Sequence, residues 1–139
     1  MKRSFVIGVA ALAMMGLFGQ AALAGSPHFV GIPTVTTSES TATVSGKVAG
    51  LGNETQIHVE ASGEVACLNP GQQFPDAANK MTVTAGGDFP VQNGKSYFEL
   101  TLTATFQPKC VPPMTLVWGP ITITVSGSTF EAFSTTITP

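Results

Sequence analysis

One stretch near the middle of the chain alternates strictly between two kinds of residue. Small or apolar residues fill its odd positions and polar residues its even positions: Ile57, Val59, Ala61, Gly63, Val65 and Cys67 against His58, Glu60, Ser62 and Glu64. A period of two over this length is typical of a β-strand with one face in water. Because Cys67 shares the parity of the apolar set, we expect its sulfur to point into the core. Gly63 predicts a bulge, or a division of the strand into two.

Turn-forming residues lie on both sides of this strand. Gly50-Leu51-Gly52-Asn53 precedes it with residues that tolerate positive φ, and Pro70-Gly71 after it suits the two central positions of a type II turn. Farther along, Asn93-Gly94 is the strongest signal in the chain for a two-residue hairpin. The central strand is therefore predicted to sit among antiparallel neighbours.

The rest of the chain repeats the strand pattern in shorter pieces. Further strands are predicted at 34–37, 41–48, 80–85, 96–106, 116–126 and 130–138, with Gly86-Gly87-Asp88 ending the third of these and Gly119-Pro120 interrupting the fifth. Helical periodicity is missing after residue 24. About seven strands at these spacings predict an all-β fold, an antiparallel immunoglobulin-like or fibronectin-III-like β-sandwich. A partly closed barrel is the alternative.

The first 24 residues have the composition of a secretory signal peptide. Lys2 and Arg3 form a positive region, 5–18 is apolar, and Ala22-Leu23-Ala24 is a small-x-small cleavage site. A membrane anchor is the competing interpretation, but the apolar run is short and no stop-transfer charges follow it. We expect residues 25–139 to form one secreted domain, extracellular or periplasmic, without membrane insertion after cleavage.

Cysteines and charge restrict the function further. Cys67 and Cys110 are the two cysteines of the chain, and an even number in an exported protein predicts one disulfide between them. After residue 24 four lysines stand against eight carboxylates. No basic patch is left for nucleic acid or anionic lipid, so we expect neither as a partner.

The residues that carry chemistry are scattered. His28 follows Pro27, which lacks the amide nitrogen that an N-terminal copper chelate needs, and His58 has only Glu60 beside it. The carboxylates form neither a calcium-binding run nor an evident glycosidase pair, and Ser126-Gly127-Ser128 lacks the first glycine of a nucleophile elbow. We therefore predict no catalytic residue, no metal site, no cofactor and no enzyme. Convergence of carboxylates in space stays open.

Four aromatic residues are candidates for a binding surface: Tyr97, Trp118, Phe74 and Phe89. The parity of Tyr97 and of Trp118 is opposite to the apolar set of its own strand, which predicts exposure. Two such rings on one surface would form a platform for a sugar ring or a protein partner. The alternative for each ring is packing beneath a loop.

The segment from Lys47 to Cys110 resembles a loose set of small exported bacterial proteins. The resemblance is carried by the Gly50-Leu51-Gly52-Asn53 turn, by Cys67-Leu68-Asn69-Pro70-Gly71, which has the form Cys-x-Asn-x-Gly, and by Asn93-Gly94. It implies a single β-sandwich domain with one disulfide and supports export. It implies no activity and no ligand.

These observations predict a secreted, non-enzymatic domain with an interaction or envelope-structural role and an unknown protein or glycan partner. A carbohydrate-binding or adhesin-type module is one alternative, and it requires two coplanar aromatic rings on an exposed face. A small secreted hydrolase is another, and it requires a cleft that joins His58 or His28 to a carboxylate or serine. A pilin-like subunit completed by a donated strand would require an open groove.

Overall fold

The structure is a computed structural model that describes residues 25–71, 74 and 79–139. The leader predicted at 1–24 and two short parts of one loop, 72–73 and 75–78, lie outside the described residues. Eight strands are present in the described part: β1 (His28–Phe29), β2 (Thr34–Ser38), β3 (Thr41–Ala49), β4 (Gln56–Leu68), β5 (Asn79–Pro90), β6 (Ser96–Thr103), β7 (Thr115–Ser126) and β8 (Phe133–Ile137).

The strands form two antiparallel sheets that pack like a sandwich. In the first sheet β3 is central, with β6 on one side and β1 and β2 sharing the other. The second sheet has the order β5-β4-β7-β8. One apolar core fills the space between them, built from the inward residues of both sheets. The predicted all-β class and its antiparallel pairing are confirmed.

The alternation of the central strand is reproduced in the burial of β4. Ile57, Val59 and Val65 are buried, while His58 and Glu60 between them are exposed. β4 pairs with β5 on one side and with β7 on the other, so it is the most extensively paired strand of the second sheet. Its length and central position follow from the apolar face that the sequence repeats without interruption.

The disulfide between Cys67 and Cys110 is present, as the sequence predicts, with the two Cα atoms 5.7 Å apart. Cys67 is buried at the end of β4, and Cys110 lies in the irregular connection that leads to β7. Met114 packs beside the bond, with its Sδ atom 3.7 Å from Sγ of Cys67. The bridge therefore fastens a proline-rich connection to the core sheet.

A bulge in β7 overturns one prediction about exposure. Gly63 pairs with Ile121, but Val65 pairs with Trp118, so β7 has one more residue than β4 over this interval. The extra residue, at Gly119-Pro120, reverses the parity of β7. Trp118 consequently points inward and is only 8% exposed. The expectation that Trp118 is a surface aromatic is wrong for this reason.

β5 is longer than predicted. The sequence predicts its end at Gly86-Gly87-Asp88, whereas the strand continues to Pro90. The two glycines pair with Glu60 and Val59 of β4, whose ladder continues past them. A long, uninterrupted neighbour thus outweighs the weak strand preference of glycine. Two smaller differences are the end of β6 at Thr103 instead of 106 and the short β1 in the predicted irregular arm.

The tight turn predicted at Asn93-Gly94 is present, but β5 and β6 on either side of it lie in different sheets, so the predicted hairpin is limited to one isolated bridge between Gln92 and Lys95. Asn93 and Gly94 both have positive φ, 55° and 74°, and Gln92 and Lys95 exchange backbone hydrogen bonds of 2.8 and 3.0 Å. This turn leads from β5 in the second sheet to β6 in the first. The described residues contain no helix that is long and apolar enough to cross a membrane.

Candidate functional site

Three turns meet at one end of the sandwich: residues 50–55 between β3 and β4, 91–95 between β5 and β6, and 127–130 between β7 and β8. The N–H of Leu51 donates to the carbonyl of Gly94 at 3.0 Å, and the N–H of Val91 donates to the carbonyl of Thr55 at 3.0 Å. These bonds join the first two turns. We call this region the loop end.

A buried carboxylate joins the third turn to the first. Glu54 is 7% exposed, and its Oε2 accepts hydrogen bonds from the backbone N–H of Thr129 at 2.6 Å and from the Thr129 hydroxyl at 2.5 Å. Oε1 accepts a bond from the Ser128 hydroxyl at 3.1 Å. The Thr129 hydroxyl is the main cause that lowers the pKa of Glu54, against the opposing effect of burial, with further bonds from the Thr129 and Ser128 backbone and the Ser128 hydroxyl.

An open cleft of about 480 Å³ lies beside this carboxylate, on the outer face of the second sheet. It is lined by Glu54, Thr55, Gln56, His58, Asp88, Ser126, Gly127 and Ser128. Nearly all of these side chains are polar, and they come from β4, β5, β7 and the adjoining turns. We call it the loop-end cleft. Its chemistry suits a ligand that forms hydrogen bonds, because no large apolar side chain lines it.

The floor of the loop-end cleft contains a row of three residues on neighbouring strands. His58 of β4 pairs directly with Asp88 of β5 on one side and with Ser126 of β7 on the other. Nδ1 of His58 lies 2.8 Å from Oδ1 of Asp88. Both side chains are half exposed, at 50% and 57%. The row resembles the acid, base and nucleophile of a hydrolase in composition.

The imidazole of His58 is directed away from Ser126, which argues against a role as the base for that hydroxyl. Nε2 of His58 lies 3.4 Å from the position that a Cβ atom of Gly86 would occupy, so the ring covers Gly86 on β5. Ser126 lies on β7, which pairs with β4 on the side away from β5. A base that activates a serine hydroxyl must lie within hydrogen-bond reach of it, at about 2.6–3.2 Å. The Asp88 bond instead holds the imidazole as a fixed polar group on an open sheet face.

The four predicted surface aromatics are not brought together. Tyr97 is 68% exposed on the outer face of the first sheet, where Nζ of Lys47 lies 5.1 Å from its ring centroid. Phe89 packs edge-to-face on the core ring of Phe98 at 6.3 Å. Phe74 covers Gly119, and Trp118 is in the core. A platform of coplanar rings from these residues is therefore not formed.

The two histidines are also far from forming a metal site. Nδ1 of His28 contacts the carbonyl of Ser26 at 2.5 Å in the N-terminal arm, whereas His58 contacts Asp88. Across residues 25–71, 74 and 79–139, no group of three or more His, Cys, Asp or Glu side chains is close enough to hold a metal ion.

Neither the contact of Glu54 with Thr129 nor the pair of His58 and Asp88 is predicted by the sequence. Glu54 is one of eight singly placed carboxylates in the sequence, and its partner Thr129 is separated from it by 75 residues. The sequence predicts a turn at Asp88 and so does not indicate that this residue pairs with His58. Only the length of β5 could have indicated the pair. Comparisons of the chain with protein-family models, curated proteins and solved structures found no match.

Proposed function

We propose that this chain is an exported, non-enzymatic domain of the immunoglobulin-like or fibronectin-III-like class that binds a protein partner at its loop-end cleft. The observation that carries the proposal is the fastening of three separate turns to one another by Glu54 and by the Leu51–Gly94 bond. Turns that are already ordered lose little conformational entropy when a partner binds. Binding residues are commonly placed on loops that a rigid scaffold positions.

The strand order supports the fold class. One sheet holds β1 and β2, β3 and β6, and the other holds β5, β4, β7 and β8. In sandwiches of the immunoglobulin type, too, one sheet takes the first strands together with a middle strand, and the other sheet takes the remaining strands. Their loops gather at both ends of the sandwich. In variable domains of that class, the loops of one end bind antigen.

Export is supported by two features of different kind. The first 24 residues match the three regions of a signal peptide. The Cys67–Cys110 disulfide suits an oxidising compartment and is uncommon in a reducing one. An extracellular or periplasmic location agrees with both.

The chemistry of the loop-end cleft favours a partner that supplies hydrogen-bond donors. Two carboxylates, Glu54 and Asp88, line it, and no lysine or arginine does. A basic or amide side chain of a protein partner fits this lining. The carbohydrate-binding alternative requires two coplanar aromatic rings on an exposed face. Tyr97 is not joined by a second exposed ring from the predicted set, so this requirement is not met by those residues.

Site-specific photo-crosslinking in the producing cell tests the proposal. A photoreactive residue at Gln56, in the loop-end cleft, should capture a discrete protein partner. The matched control is the same residue at Thr101, which is exposed on the outer face of the first sheet. Equal capture at both positions, or capture at neither, would contradict the proposal. Loss of capture at Gln56 in an H58A background would support the role of the cleft floor.

A second candidate function, a small secreted hydrolase, is favoured by the row of Asp88, His58 and Ser126. It predicts turnover of a p-nitrophenyl ester that S126A and H58Q abolish. S62A is the control, since Ser62 lies on the same strand face outside the row. The binding proposal predicts that the wild type and all three variants hydrolyse the ester no faster than buffer.

A further inference from the structure

β5 forms one edge of the second sheet and is unusually long for an edge strand. It spans 12 residues, and only β4 pairs with it among the described residues. The other edge strands are shorter or carry a charge in the middle. β2 and β8 have five residues each, and β6 has eight with Glu99 at its centre. Proteins usually blunt long edges with charges, prolines or bulges because an open edge pairs with other chains.

The hydrogen bond just beyond the end of β5 shows which backbone groups of this strand point toward its open edge. The N–H of Val91 donates to the carbonyl of Thr55, the residue directly opposite when the β4–β5 register is continued. A bond from an N–H to the carbonyl of the directly opposite residue marks the hydrogen-bonded type of antiparallel pair, and such pairs recur at every second residue. Odd-numbered residues of β5 therefore bond to β4. The N–H and C=O groups of the even-numbered residues from 80 to 88 therefore point away from β4.

The outward residues form a sequence that is complementary to itself. They are, in order, Lys80, Thr82, Thr84, Gly86 and Asp88. Lys80 and Asp88 each lie four residues from Thr84, and no charged residue lies between them. An antiparallel second copy centred on Thr84 would place Lys80 of each copy opposite Asp88 of the other. Thr82 would face Gly86, whose missing side chain allows close approach of another backbone.

We propose that two copies of this chain pair through their β5 edges, antiparallel and about a twofold axis at Thr84, to give one sheet that continues across the dimer. A twofold contact uses the same patch on both copies, and the placement of Lys80 and Asp88 satisfies that requirement. Backbone hydrogen bonds supply the attraction, and the charge pairs select the register. Oδ1 of Asp88 contacts His58, and in the proposed dimer the second carboxylate oxygen would accept from the lysine of the other copy.

This surface is distinct from the loop-end cleft, apart from Asp88, and the dimer stands without the proposed binding function. Sedimentation velocity on the exported protein, over a concentration series, is the first test. We expect a monomer–dimer equilibrium in the wild type and in T84A. T84P should be monomeric throughout, because proline removes an outward N–H and no bond to β4. A wild-type monomer up to the solubility limit, or a T84P dimer, overturns the proposal.

Charge reversal and crosslinking test the register without depending on the folding of T84P. K80D and D88K should each weaken dimerisation by about tenfold or more, and the double variant K80D/D88K should restore it. T84C should form an intermolecular disulfide through residue 84, while T82C, which would face Gly86, should not. No rescue in the double variant, or equal crosslinking of T82C and T84C, overturns the proposed register.

Discussion

Thr129 donates two hydrogen bonds to a single carboxylate oxygen of Glu54, one from its backbone N–H at 2.6 Å and one from its hydroxyl at 2.5 Å. The two residues belong to different turns, one before β4 and one after β7. Hydrogen bonds to a charged group contribute about 1.5–3 kcal/mol each, more than bonds between neutral groups. This contact therefore holds the loop end together more strongly than its few backbone bonds do.

Replacement of Glu54 by glutamine should destabilise the domain. The amide has nearly the shape of the carboxylate but lacks the charge, and its NH₂ group would face donors of Ser128 or Thr129. We expect E54Q to lower the free energy of unfolding by about 2–3 kcal/mol at neutral pH in urea titrations. E60Q is the control, because Glu60 is exposed on the outer face of β4. An equal loss in E60Q would contradict this role.

The same contact predicts a dependence of stability on acid. The pKa of Glu54 in the folded protein lies below its ordinary value of 4.5. The unfolded chain therefore binds the proton first, and the stabilisation from Glu54 is complete above about pH 4.5 and disappears as the pH falls through the lower folded pKa. The difference in unfolding free energy between wild type and E54Q should stay constant from pH 7 to pH 5 and shrink below pH 4.5. A difference that grows in acid would contradict it.

The single tryptophan reports on the bulge in β7. Trp118 is buried opposite Val65, although its parity in the sequence predicts exposure. We expect blue-shifted fluorescence that acrylamide quenches only after unfolding. Deletion of Pro120 would remove the extra residue and turn Trp118 outward, with a red shift and ready quenching. Ready quenching in the native wild type would show that the bulge is not formed. P120A is the matched variant, since it keeps the residue count.

The difference between predicted and observed features follows the range of the interactions. The burial of β4, the inward Cys67 and the tight turn at Asn93-Gly94 depend on periodicity or on turn chemistry within a few residues, and the sequence predicts all three. Trp118 was misplaced because a parity argument assumes an unbroken ladder, and one inserted residue reverses it. The Glu54 contact was missed because nothing near either residue in the sequence indicates that their turns meet.

The disulfide should contribute much of the stability of the domain. The Cys67–Cys110 bridge closes a loop with a sequence separation of 43. A loop of this size lowers the entropy of the unfolded chain by the equivalent of about 4 kcal/mol, which is near the full stability of many small domains. We expect C67S/C110S to lower the thermal midpoint strongly by calorimetry. T115S, a change at an exposed residue of β7, should leave it unchanged. An unchanged midpoint in the double variant would contradict the stabilising role.

Gly127 should tolerate no side chain. A methyl group at this position would overlap the ring of Phe130 and lie 3.0 Å from Cδ of Glu54. Overpacking of this kind costs about 1–3 kcal/mol, and here it would also push the loop away from its carboxylate partner. We expect G127A to lower the unfolding free energy by this amount, and G127A/F130L to recover part of the loss because the ring is removed. G25A is the control, since no atom lies within 4 Å of a Cβ there. If F130L gives no recovery, the ring is not the source of the strain, and the clash with Glu54 alone would have to account for it.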